Sequence, residues 1–144
     1  MNQYLLLLHL FATFAMTGII WFVQLIEYPL MHRSQGEAFR SYHAAYTKRM
    51  GFLVGPLMLL ELATGVALSL LPVPGLPVLT LWIGLMLILL IWAATALLSI
   101  PCHHRLRHGY DSVTHRQLVA TNWIRTAAWT LRSLLLITII NLAP

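Results

Sequence analysis

Polar and apolar positions alternate along this chain on a coarse scale, with four long apolar runs separated by three short interruptions. A helix needs about 20 apolar residues to cross the hydrocarbon core of a bilayer. Residues 4–28, 51–71, 78–100 and 118–142 reach that length. Pro29, Pro72 and Pro101 stand at run ends, where a missing N–H and a ring clash are expected to stop a helix. The pattern predicts an all-α fold, a single antiparallel four-helix bundle in a membrane, with longer connections at 29–50 and 101–117.

The connections differ in kind. Pro72-Val73-Pro74-Gly75-Leu76-Pro77 is uncharged and predicts a tight hairpin. The other two are basic, with Arg33, Arg40, Lys48 and Arg49 in one and Arg105, Arg107 and Arg116 in the other. With Arg125 just inside the last run, eight of the nine Lys and Arg residues lie on or near one side. The positive-inside rule makes that side cytoplasmic, so both termini are expected outside. Phe39, Tyr42, Tyr46 and Met50 share one helical face, which predicts an interfacial helix or an extension of span two.

Composition sharpens this reading. Of 144 residues, 59% are hydrophobic and 9% charged, against about 25% charged in soluble domains. A soluble fold would expose too much apolar surface. The formal charge of +5 therefore points to anionic headgroups, with no nucleic acid expected as a partner. The lone Cys102 excludes an internal disulfide. The first run lacks a basic leader region and reads as a span. Phosphate loops, nucleophile elbows and dinucleotide fingerprints are missing from the sequence. Trp21, Trp82, Trp92, Trp123 and Trp129 read as packing residues or interfacial anchors. Gly18, Gly65, Ala67, Gly84, Ala93, Ala94, Ala127 and Ala128 are expected to permit close helix contact, and so small a bundle is compatible with a homo-oligomer.

Ionisable residues inside a span are costly and mark candidate sites. His9, Glu61, Arg125 and Arg132 qualify, with Glu27 at the edge. His9, Thr13, Thr17, Gln24 and Glu27 fall along one side of span one. Asn122, Arg125, Trp129 and Arg132 do the same in span four. By helical rise Glu61 lies about 15 Å in from Gly51, between the depths of the two arginines. A buried Glu61–Arg pair follows, either as a device fixing helix register or as a functional group, with Glu61 the best general base. The same charges suit an alternative, a non-enzymatic binder or transporter subunit in which Glu61, Arg125 and Arg132 relay charge.

A second constellation gathers at the basic ends of the spans: Glu27, Tyr28, His32, His43, Cys102, His103 and His104, faced by Asn122 and Arg125. Imidazole and carboxylate suit iron, copper, zinc or manganese, and bundles build metal sites from inward-facing side chains. Glu27, His43, Glu61 and His103 are the candidate ligands, without a fixed ligand motif. Asn122 and Arg125 are expected to orient a polar or anionic part of a substrate. The plain alternative is a set of interfacial histidines near headgroups.

Gln24-x-x-Glu27-Tyr28-Pro29, Tyr42-His43, Lys48-Arg49-Met50, Gly55-Pro56 and Glu61 resemble bacterial four-span proteins near the anthrone oxygenase-like family. Pro101-Cys102-His103-His104-Arg105-Leu106 and Asn122-Trp123-Ile124-Arg125-Thr126 extend that likeness over nearly the whole chain. The resemblance implies a small membrane oxidoreductase acting on a lipophilic substrate, in a bacterial inner membrane. A looser likeness, to the HemJ-type protoporphyrinogen oxidases, rests on His9 and Lys48-Arg49 and implies haem or porphyrin chemistry at His9. The lysine of that family's third span has no counterpart here. The leading expectation is a membrane oxidoreductase with a cytoplasmic-side pocket, a transition metal as its candidate cofactor and haem as the weaker one.

Overall fold

The computed structural model describes residues 2–34, 36–71 and 77–142, and every regular element among them is helical. The α-helices are Asn2–Phe22 (α1), Tyr28–Leu30 (α2), Gly36–Leu70 (α3), Val78–Ala94 (α4), Ile100–Leu106 (α5) and Ser112–Leu142 (α6). A π turn at Val23–Glu27 joins α1 to α2, and another at Thr95–Ser99 joins α4 to α5. Four continuous rods result: Gln3–Arg33, Gly36–Leu70, Val78–Leu106 and Ser112–Ile140. Each is long and apolar enough to cross a membrane, and they are the first to fourth spans below. The expected hairpin at 72–76 lies outside the described residues.

Pro29 and Pro101 do not end their helices, contrary to expectation. Proline clashes with the carbonyl four residues back and offers no N–H. Both prolines follow a π turn, in which Tyr28 N–H bonds to Val23 O and Ile100 N–H to Thr95 O. The wider turn opens room for the ring, so the helix continues. The basic connections are correspondingly short. Residues 36–50 extend span two, and only 107–111 separate α5 from α6. Gly36 opens α3 at a φ of +60°, a conformation that glycine adopts at little cost.

Asp111 caps α6. Its carboxylate accepts from the amide of Thr114 at 2.8 Å and more loosely from that of Val113. The Thr114 hydroxyl and these amides hold the Asp111 carboxyl below its ordinary range.

Span one packs on spans two and four, and span three on the same two. Buried apolar side chains form three clusters along the bundle axis. Phe39, Leu106 and Leu118 belong to the one at the basic end, Met16, Ile20 and Trp129 to the middle, and Leu68 and Ile139 to the far end. Outward faces are apolar, as Phe52, Leu79 and Leu97 illustrate, and suit contact with lipid. The small residues divide. A Cβ on Gly65 would stand 2.6 Å from Ile88 Cδ1 and 3.2 Å from His9 Cε1, so an alanine here would oblige the Ile88 terminal methyl to move and would crowd His9. Gly18, Ala93 and Ala127 instead face outward and take no part in close contact within the chain.

Candidate functional site

Every span contributes to a buried polar clamp. Glu61 Oε1 accepts from Arg132 Nε at 3.0 Å and from Thr13 Oγ1 at 2.8 Å, and Oε2 accepts from Trp129 Nε1 at 2.9 Å. The other Arg132 nitrogens donate to the Gly84 carbonyl, to His9 Nε2 at 3.0 Å and to Thr13 Oγ1 at 3.3 Å. Thr64 Oγ1 gives its own proton to the Leu60 carbonyl, so it accepts from His9 Nδ1 at 2.7 Å. These partners define His9 as a neutral ring with the proton on Nδ1. The pair is buried, Glu61 at 1% and Arg132 at 2% exposure, and its polar atoms are satisfied. That is the condition under which a buried ion pair is tolerated.

A different environment lies toward the basic end. Spans two and three meet at Gly65 and Ile88, and again at His43 and His103. Between these contacts lies a half-open cavity of about 430 Å³, walled also by span one and Arg125 and within the usual size range of small-molecule sites. Met16, Ile20, Val23 and Met58 line its inner part, while Tyr28, Ser99, His103 and Arg125 form its polar part. Arg107 and His104 stand at the exposed rim. No Asp or Glu lines the cavity among the described residues.

Its polar side chains are arranged in two chains. Tyr28 Oη lies 3.0 Å from His103 Nε2, and His103 Nδ1 lies 3.1 Å from His43 Nε2. Donor and acceptor roles along this line invert together when the tautomers change, which is what a proton path requires. Separately, Gln24 accepts from Asn122 at 2.8 Å, Asn122 accepts from Arg125 Nη1 at 3.3 Å, and the same Nη1 donates to Ser99 Oγ at 3.0 Å. This fixes the guanidinium while leaving its Nε without a partner. Among the described residues the buried side-chain polar atoms lacking a partner are His43 Nδ1, Trp92 Nε1 and Arg125 Nε. Two of these belong to residues lining the cavity, and the third to a residue touching His103, which also lines it. Unpaired buried groups are rare in folded proteins, and these three cluster at the cavity.

The expected site residues are therefore separated. Arg125 and His103 line the cavity, with Asn122 behind the first and His43 behind the second. Glu61 and His9 belong to the clamp. Glu27 is half-buried and accepts a hydrogen bond from Tyr42. The four candidate metal ligands do not converge. Glu61 lies about 27 Å along its helix from His43, and its oxygens are engaged by Arg132, Thr13 and Trp129. Among the described residues no three His, Cys, Asp or Glu side chains are grouped to hold a metal ion. His9, the candidate haem residue, has both ring nitrogens engaged and offers a haem no free nitrogen as placed. The charge relay of Glu61 with both arginines also divides, since Arg125 bonds to Ser99 and Asn122 instead. Cys102 is buried and not among the cavity-lining residues.

Several participants were not singled out as site residues from sequence. Thr64, Ser99 and His115 contribute, His115 through a 2.8 Å bond from Nε2 to the Tyr28 carbonyl, and Tyr46, expected only as part of a helical face, lines the cavity. Helical spacing carried a signal for some of them. Thr64 and Tyr46 lie three residues beyond Glu61 and His43, and His115 lies seven before Asn122. In comparison with known proteins, no protein-family model, curated protein or solved structure matches this chain.

Proposed function

We propose that this chain is an integral membrane oxidoreductase that holds a lipophilic small molecule between its second and third spans and exchanges a proton with it. In this reading the four spans form an antiparallel bundle, with the basic connections in the cytoplasm and both termini outside, in a bacterial inner membrane. The charge bias of the connections supports that orientation.

One observation carries the functional reading: a cavity of about 430 Å³ with an apolar inner part, whose wall holds the buried Arg125 beside a Tyr–His–His line. Arg125 would hold an oxygen of the substrate, and Tyr28 or His103 would give or accept its proton. His43 would act on His103 as a positioning residue. The resemblance of the chain to four-span proteins near the anthrone oxygenase-like family favours redox chemistry. Glu61, Arg132 and His9 set the helix register on which the cavity depends. The candidate metal ligands are apart, so no step is routed through a metal.

The test pairs Tyr28→Phe and His103→Ala with the wild type, purified in mild detergent and incubated with a lipid extract of the host. With an added quinone as the electron acceptor, mass spectrometry should find a lipophilic molecule from which the wild type removes two hydrogens while the quinone is reduced to the quinol. Both variants should convert it about a hundredfold more slowly, the scale of a lost general acid or base. Conversion unaffected by both substitutions would overturn the assignment of the site.

A further inference from the structure

Resting on the reading of this cavity as a ligand site, we infer that its ligand is a long-chain carboxylate seated like a lipid of the adjoining leaflet, with its acid group on Arg125 and its tail toward the membrane centre.

The shape favours a chain. The lining residues of span two run from Tyr46 to Met58 and those of span three from Trp92 to Arg107. By helical rise this is a cleft about 20 Å long. Its polarity is graded along that length. Tyr28, His103, Arg125 and the rim residue Arg107 lie toward the basic end, while Met16, Ile20 and Met58 lie deeper. Methionine side chains adapt to irregular apolar shapes, which suits a flexible tail.

The charge favours an acid. Two guanidinium groups line the cleft and no carboxylate does, so an anionic head meets attraction without a local opponent. Arg125 is 7% exposed, and its Nη1 is already bonded to Ser99 and Asn122. Nε is closed off from the cavity, whereas Nη2 makes no hydrogen bond among the described residues and is not closed off. An arginine nitrogen left in this way makes a strong charge-assisted hydrogen bond to a carboxylate oxygen.

The wall supplies a lateral way in. A Cβ on Gly51 or Gly55 meets nothing within 4 Å, so both glycines border open space along the cleft. A tail can pass there from the bilayer without separating the helices.

Bromine-labelled stearate tests this, because bromine quenches tryptophan at short range and Trp92 lines the cleft. Quenching of detergent-purified protein should saturate, and the saturable part should disappear in Trp92→Phe. Arg125→Gln should weaken binding about tenfold or more, the scale of a lost charged hydrogen bond. Gly55→Leu should abolish binding by filling the cleft, while circular dichroism remains that of the wild type. The bromine-labelled alcohol and alkyl phosphate of equal chain length should both bind more weakly than the acid. An alcohol that binds equally well would overturn the acidic head, and a phosphate that binds more tightly would overturn the carboxylate class. Saturable quenching by none of the three would remove the ligand site itself, and with it the proposed function. Stearate binding without any converted molecule would instead leave the inference standing and sink only the enzymatic reading.

Discussion

The indole N–H of Trp129 donates to Glu61 Oε2 across 2.9 Å. The same ring lies 5.4 Å from the guanidinium carbon of Arg125. One fully buried side chain thus touches both the clamp and the wall of the cavity. Trp129→Phe keeps an aromatic ring but gives up part of the packing and leaves Oε2 one donor short. Stability should fall by about 1–3 kcal/mol, read as a lower unfolding temperature in detergent.

Glu61→Gln should cost more, about 3–5 kcal/mol, because Arg132 is left as an uncompensated buried charge. Arg132→Met alone strands the carboxylate and should cost a similar amount. The double variant Glu61→Gln/Arg132→Met should be more stable than either single one. If the two losses simply add in a double-mutant cycle, the clamp is not a coupled pair.

Gly65→Ala forces a methyl group against Ile88 Cδ1, which stands 2.6 Å from the position of that carbon. Overpacking of this kind costs about 1–3 kcal/mol. Gly18→Ala meets nothing within 4 Å and should leave stability unchanged or slightly raised. Thermal unfolding of the two variants side by side checks the contrast, and equal losses would contradict the crossing.

The cap on α6 should respond to acid. Asp111 has its carboxyl held below the ordinary value of 3.8, so its contribution is fully present above that pH. It is lost as pH falls through the lower value of the folded state. Protection of the Thr114 amide, taken relative to its intrinsic exchange rate, should therefore fall below the ordinary carboxyl range in the wild type. Asp111→Asn, which keeps an accepting oxygen, should flatten that dependence. An unchanged acid profile in this variant would show that another group controls the first turn.

The four spans were legible because lipid-facing and core-facing positions are both apolar over the length a bilayer requires. The inward stripes were legible too, since His9 and Thr13 recur at helical spacing in span one, as Trp129 and Arg132 do in span four, and all end in one clamp. Which arginine pairs with Glu61 was not, because rise along a helix gives depth but not the partner across the bundle. The metal grouping failed for a related reason. Glu61 and His43 occupy one helix at very different depths, and no spacing rule had tied them together. The cavity itself was illegible, since it depends on two helices parting between a glycine contact and a histidine contact.

The two π turns leave a mark on what mutation can do here. Each places one extra residue in a turn of helix, so all that follows is rotated by about 100° relative to an uninterrupted α-helix. Tyr28 and His103 both follow such a turn. Deleting one residue from each turn would restore ordinary helical phase and swing these two side chains away from each other, while most of each apolar span stayed in place. Gain and loss of this site are thus one codon apart in each half of the chain, a distance that evolution crosses by insertion rather than by substitution.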